Sequence, residues 1–158
     1  VITSYHGVIR DNRVPGDVET RKSTSTFSVG TGVDNQQVGI VYTEGSIVSL
    51  SASGNLNVLD PRVQGVTRVL EGPQKAVTAA AVLDNTSTFL AGTADGRVVH
   101  YDFSSHTSTL IKGDSHTNLV SGIAASQGGA VTVGYDDRVK EIQSSSFVYV
   151  ILISICHN

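Results

Sequence analysis

Three stretches decide the fold: SLSASGNLNVLD at residues 49–60, AGTADGRVVHYD at 91–102 and TVGYDDRVKEIQ at 132–143. Each reads as a run of small and apolar residues, a turn, and then an alternating strand. The turns fall at Ser53-Gly54, Asp95-Gly96 and Asp136-Asp137, so the step from Ser53 to Asp95 is 42 residues and that from Asp95 to Asp136 is 41. Asp-Gly between two β-prone runs is a strong hairpin signal, because its turn positions need a positive φ that these residues tolerate. A period of about 40–45 residues matches a four-stranded unit repeated around a propeller.

The same period organises the flanks. The middle unit divides into strands at 77–83, 87–92, 97–101 and 108–111, with turns at Asp84-Asn85, Asp95-Gly96 and 103–106. The first unit repeats this at 38–42, 47–51, 56–59 and 67–70, and the third at 120–125, 130–134 and 138–142, after which the pattern is lost. The Ala cluster 79–81 is the best helical candidate, but Val77, Thr78, Val82 and the flanking turns favour a buried strand. No apolar stripe of helical period runs through the chain, so the fold class is all-β.

Composition bounds the rest. The 158 residues are 39 % apolar and 16 % charged, enough to bury a core. Eleven Lys and Arg against 14 Asp and Glu leave a net charge of -3, which argues against a nucleic-acid partner. The single cysteine, Cys156, excludes a disulfide framework and a cysteine-based zinc site. No apolar leader opens the chain, and the most apolar stretch, 147–156, is shorter than the roughly 20 residues of a spanning helix. A cytoplasmic protein with no membrane partner is expected.

Texture sets three zones. Residues 1–26 carry charges and turn residues, and read as a disturbed segment with the end of a preceding blade. Residues 27–143 hold the repeats, at about 34–75, 76–114 and 115–143. Residues 144–158 form an atypical tail in which nine of the ten residues 147–156 are apolar. It is either a buried final strand or an artefactual end, and the abrupt change of texture favours the second. With Val first and no Met anywhere, the expectation is a piece of a longer chain, an incomplete propeller of about three blades. Open sheet faces at both ends would leave the isolated chain unable to close a ring or carry full activity.

Particular residues now resemble WD40 repeats. Tyr101-Asp102 occupies the place of that family's closing Trp-Asp pair, Asp95 and Asp136 that of its turn Asp, and Asp60 closes the first unit. His116 stands 20 residues before Asp136, the place of the family's Gly-His site. The resemblance implies a buried chain of hydrogen bonds through that His, a strand Ser or Thr, the turn Asp and the Trp. The pattern departs at the Trp slot, which holds Leu59, Tyr101 and Ile142, at Ser53 for Asp, and at Pro73 for the second His.

Longer strings resemble the actin-interacting protein 1 family more specifically. They are DNQQVGIVY at 34–42, IVSLSASGNLNVLD at 47–60, SHTNLVS at 115–121 and GYDDRV at 134–139, within a similarity that spans roughly 17–143. DVET at 17–20 resembles the end of a Trp-Asp strand with Gly16 in the Trp slot. The resemblance implies part of the second of two joined propellers. It also implies actin filaments and cofilin as partners, a role in cofilin-dependent filament severing and disassembly, and a place in the actin cytoskeleton. The alternatives are a general WD40 scaffold subunit of another complex and an inactive truncated fragment.

Chemistry is harder to find. His6, His100, His106, His116 and His157 form no helical i, i+4 pair and have no cysteine partners, so no metal site is expected. Adjacent Asp136 and Asp137 point in opposite directions, which makes one structural and the other solvated. Gly30-Thr31-Gly32 lacks the ending of a phosphate loop and reads as a turn. Arg10, Arg13, Arg21 and Lys22 read as a solvated face. No catalytic or cofactor-binding residue emerges, so the chain is not expected to be an enzyme. Its function is a property of its surface, with Asp95, Gly96, Asp136, Asp137 and Arg138 as exposed loop positions. Asp137 and Arg138 are the candidates for touching a partner.

Overall fold

Hairpins that alternate apolar strands with Gly- and Asp-bearing turns pair antiparallel, and this pairing builds every sheet. The computed structural model describes residues 2–5, 8–11, 25–32, 35–43, 46–60, 62–63, 65–72, 74–83, 88–126, 128–146 and 148–154. Strands β1 (Ile2–Tyr5), β2 (Val8–Asp11) and β3 (Ser25–Ser28) form a three-stranded sheet. Strands β4 (Gln37–Thr43), β5 (Ser46–Ser51), β6 (Leu56–Asp60) and β7 (Gly65–Leu70) form a four-stranded one. A second consists of β8 (Val77–Val82), β9 (Thr88–Thr93), β10 (Val98–Asp102) and β11 (Thr107–Leu110). The third comprises β12 (Val120–Ser126), β13 (Gly129–Gly134), β14 (Arg138–Gln143) and β15 (Val148–Ser154). In each, strands consecutive in sequence are neighbours, and the described residues contain no α-helix. The fold is all-β, with the sheet connectivity of WD40 blades.

The chain divides into two compact units, Val1–Glu71 and Gly72–Asn158. In the first, Phe27 on β3, Ile47 on β5 and Leu59 on β6 are fully buried against one another, flanked by Val29 and Ile40. In the second, Leu83, Leu90, Val98, Ile111, Val120, Ala130 and Ile142 make one core, with Ala79, Ile123 and Tyr149 packed on it. Each fully buried Leu, Ile, Val or Phe side chain among them contributes about 1.5–3 kcal/mol.

A shared irregularity locks the two sheets of the second unit together. β8 and β12 both carry a bulge at their start, at Val77/Ala79 and Val120/Gly122. The bulge turns the Thr78 hydroxyl out, where it donates to the carbonyl of Val120 at 2.6 Å. Opposite, the bare Cα of Gly92 makes room for Val120, whose Cγ1 would lie 2.5 Å from an added Cβ. The Ala cluster 79–81 is a strand, as read, but a half-buried one, because β8 is the edge strand of its sheet and pairs with β9 alone.

Two elements differ from expectation. The repeat does not stop near residue 143: Val148–Ser154 pairs along β14 as the fourth strand of its sheet. A uniformly apolar run carries no period-2 signal, so its strand character is set by partner and register rather than by alternation. In the zone read as disturbed, β1 and β2 pair antiparallel, and β3, which runs on past the zone to Ser28, pairs with β2. The turn at Asp84-Asn85, and Arg13, Arg21, Lys22, Pro73, Cys156 and His157, lie outside the described residues.

Candidate interaction surface

The turns between the second and third strands of the sheets are fastened in one recurring way. The amide just after the second strand donates to a carbonyl preceding the first: Ala52 to Gln36 at 2.6 Å, Ala94 to Ala76 at 2.9 Å, and Tyr135 to Leu119 at 2.9 Å. Each turn is therefore tied to the segment that enters its own sheet.

In the second unit this end of the sheets is knitted further. His116 is buried, with Nδ1 2.8 Å from Asp136 Oδ1 and Nε2 2.9 Å from Thr132 Oγ1. The Thr117 amide donates to the other Asp136 oxygen at 3.0 Å. Burial acts to raise the Asp136 carboxyl, but the hydrogen bonds from His116 and Thr117 outweigh it and hold the group below its ordinary value. The His116 amide donates to the Gly96 carbonyl at 3.1 Å, joining the turn of one sheet to the loop of the next. Gly96 has φ +88°, and an added Cβ would lie 2.2 Å from the His116 carbonyl oxygen.

Asp95 takes a different set of partners. Arg97 Nε donates to its Oδ2 at 3.0 Å and the Thr93 hydroxyl to its Oδ1 at 2.6 Å. The Arg97 guanidinium first, and Thr93 second, lower its pKa to about 2. In the first unit the equivalent place has no charge at all. Buried Gln37, Ser51 and Asn57 share hydrogen bonds, with Ser51 Oγ 3.0 Å from Gln37 Nε2 and 2.9 Å from Asn57 Nδ2.

The remaining named positions serve strand ends. Asp60 closes β6 by accepting from Arg62, whose guanidinium and amide lower its carboxyl. Asp102 accepts from the Ser104 hydroxyl and amide, and its carboxyl is lowered by Ser104 above all. Tyr101 is fully buried, which raises its phenol. Gly96 and Asp136 were expected at exposed loop positions, but Gly96 is buried and the Asp136 side chain is only 4 % exposed, because each is enclosed by the His116 loop. Asp137 is exposed and Arg138 half-buried.

One residue gave no warning in the sequence. Lys140 is buried on β14, its Nζ 2.6 Å from the Asp114 carbonyl, 2.8 Å from that of Ser115 and 3.1 Å from Asp114 Oδ2. Its ammonium also sits 5.6 Å from the Tyr149 ring centroid. A lysine on an alternating strand reads as solvated, and only the cluster of carbonyls in 114–115 accounts for its burial. Among the described residues no three His, Cys, Asp or Glu side chains come together in a way that could hold a metal ion.

No protein-family model matches the sequence. Individual proteins do. It is 33 % identical over 127 residues to actin-interacting protein 1 of Caenorhabditis elegans, covering 80 % of this chain. It is 34 % identical over 143 residues, 87 % of the chain, to actin-interacting protein 1 of Drosophila melanogaster. The chain is a homologue of actin-interacting protein 1. WD repeat-containing protein 1 of Xenopus tropicalis is 31 % identical to this homologue over 137 residues, 84 % of the chain. The homologue spans 21–23 % of the length of these relatives.

Proposed function

We propose that the chain is a protein-binding WD40 segment that engages actin filaments and assists their cofilin-dependent severing and disassembly. The observation that carries the reading is its 33–34 % identity, over 80–87 % of the chain, to two proteins named for interaction with actin. The fastened turns support it, because a surface already ordered in the free protein loses little entropy on binding. The action is binding without bond chemistry: affinity for a strained, cofilin-bearing filament state shifts the filament toward that state and toward breakage. In this reading Asp60, Asp95, Gly96, Tyr101, Asp102, His116 and Asp136 hold the repeats, Asp137 and Arg138 face the partner, and the protein works in the cytoplasm at the actin cytoskeleton.

The test is co-pelleting of the chain with actin filaments, bare and cofilin-decorated. Greater pelleting on decorated filaments is the expected result. Equal recovery in the supernatant with and without filaments would remove the reading and leave a general WD40 scaffold.

A further inference from the structure

We propose that the turn carrying Tyr135 and Asp137 is the contact point of the second unit, and that its partner there is a protein surface with an apolar recess edged by a basic side chain. This deepens the filament-binding reading and rests on it.

The argument comes from the repeat. Aligned on the three hairpins, one turn position holds Ala52, Ala94 and Tyr135, and another holds Gly54, Gly96 and Asp137. All three residues at the second position have positive φ, at 94°, 88° and 55°. Two alanine-and-glycine turns show that the hairpin needs neither an aromatic ring nor a carboxylate.

The third turn departs at both positions, each time in the direction that costs stability. Tyr135 remains 69 % exposed, more than any other large hydrophobic residue among those described. Asp137 holds a left-handed backbone that glycine adopts without strain. The turn itself needs the positive φ, as Gly54 and Gly96 show, but it does not need a carboxylate there.

The backbone beneath is fixed on both sides. The Tyr135 amide is bound to the Leu119 carbonyl, and Asp136 is bound to His116 and to the Thr117 amide. Ring and carboxylate are thus presented ready for binding, the condition under which an exposed aromatic becomes an anchor. Asp137 is exposed and has no side-chain hydrogen bond or ion pair among the described residues, so within this chain its carboxylate can meet a basic group on the partner.

The experiment pellets actin filaments, with and without cofilin, in the presence of the 158-residue chain as wild type, Tyr135→Ala or Asp137→Gly. Both substitutions install what the other two turns carry, so both variants are expected to melt at or above the wild-type temperature. Filament affinity is expected to fall about tenfold or more in each. Wild-type affinity in both variants overturns the inference and leaves the filament reading standing. A loss of affinity accompanied by a lowered melting temperature also overturns it, because the turn would then be structural. A wild-type chain that stays in the supernatant under both conditions overturns the inference and the filament reading together.

Discussion

His116 and Asp136 form a buried pair at 2.8 Å, their side chains 0 % and 4 % exposed, and the pair joins a loop to a turn 20 residues further along. Neither side chain has water to fall back on. Removing the imidazole leaves the carboxylate with the Thr117 amide and the Thr132 hydroxyl with only the Lys140 carbonyl at 3.3 Å. His116→Ala is therefore expected to cost about 3 kcal/mol or more of stability. Urea denaturation of the two proteins measures it, and a shift below about 1 kcal/mol would contradict the role assigned to the pair.

Gly96 and Gly128 separate two costs that are usually mixed. Both have positive φ, at 88° and 89°. An added Cβ at Gly128 meets nothing within 4 Å, whereas one at Gly96 would lie 2.2 Å from the His116 carbonyl oxygen. Gly128→Ala is expected to lose about 1 kcal/mol, the conformational cost alone. Gly96→Ala should lose at least twice as much, since the His116 loop must move. Equal melting temperatures for the two variants would show that the loop yields freely.

What the sequence announced, and what it hid, follows from the kind of signal each element carries. β9, β10, β13 and β14 were legible because Asp95-Gly96 and Asp136-Asp137 mark turns between alternating strands, and a 41- or 42-residue step repeats them. β15 has no alternation to read, and its place depends on register with β14. Charges and turn residues masked β1 and β2, whose pairing is a matter of backbone geometry. The His116–Asp136 link was legible as a spacing within the WD40 resemblance. The uncharged network of Gln37, Ser51 and Asn57 was not, because amides and hydroxyls are equally at home in loops.

Lys140 tests whether a buried cation can act as a strut. Its three oxygen partners all come from Asp114 and Ser115, just before the His116 loop. Lys140→Met keeps the packing volume and removes the donor, leaving the two carbonyls to find water or go unpaired. The expected loss is about 2 kcal/mol. Amide exchange at residues 114–117 should accelerate more than exchange in β9 and β10. Uniform acceleration across the unit would mean that Lys140 supports the core in general and not this loop.

Asp95 gives the fold an acid-sensitive contact with a defined sign. Its folded pKa, lowered to about 2 by Arg97 and Thr93, lies below the roughly 3.9 of an unfolded aspartate. The unfolded chain therefore binds the proton first as pH drops. The contact contributes fully above about pH 4 and is lost as pH falls from there toward about 2. Its side chain is 35 % exposed, so screening by solvent keeps the contribution modest. Asp95→Asn, which cannot titrate, is expected to have a lower urea midpoint than wild type at pH 6, with the gap narrowing below about pH 4. A gap that stays constant from pH 6 to 3 would show that the Arg97 contact exists without stabilising the folded state.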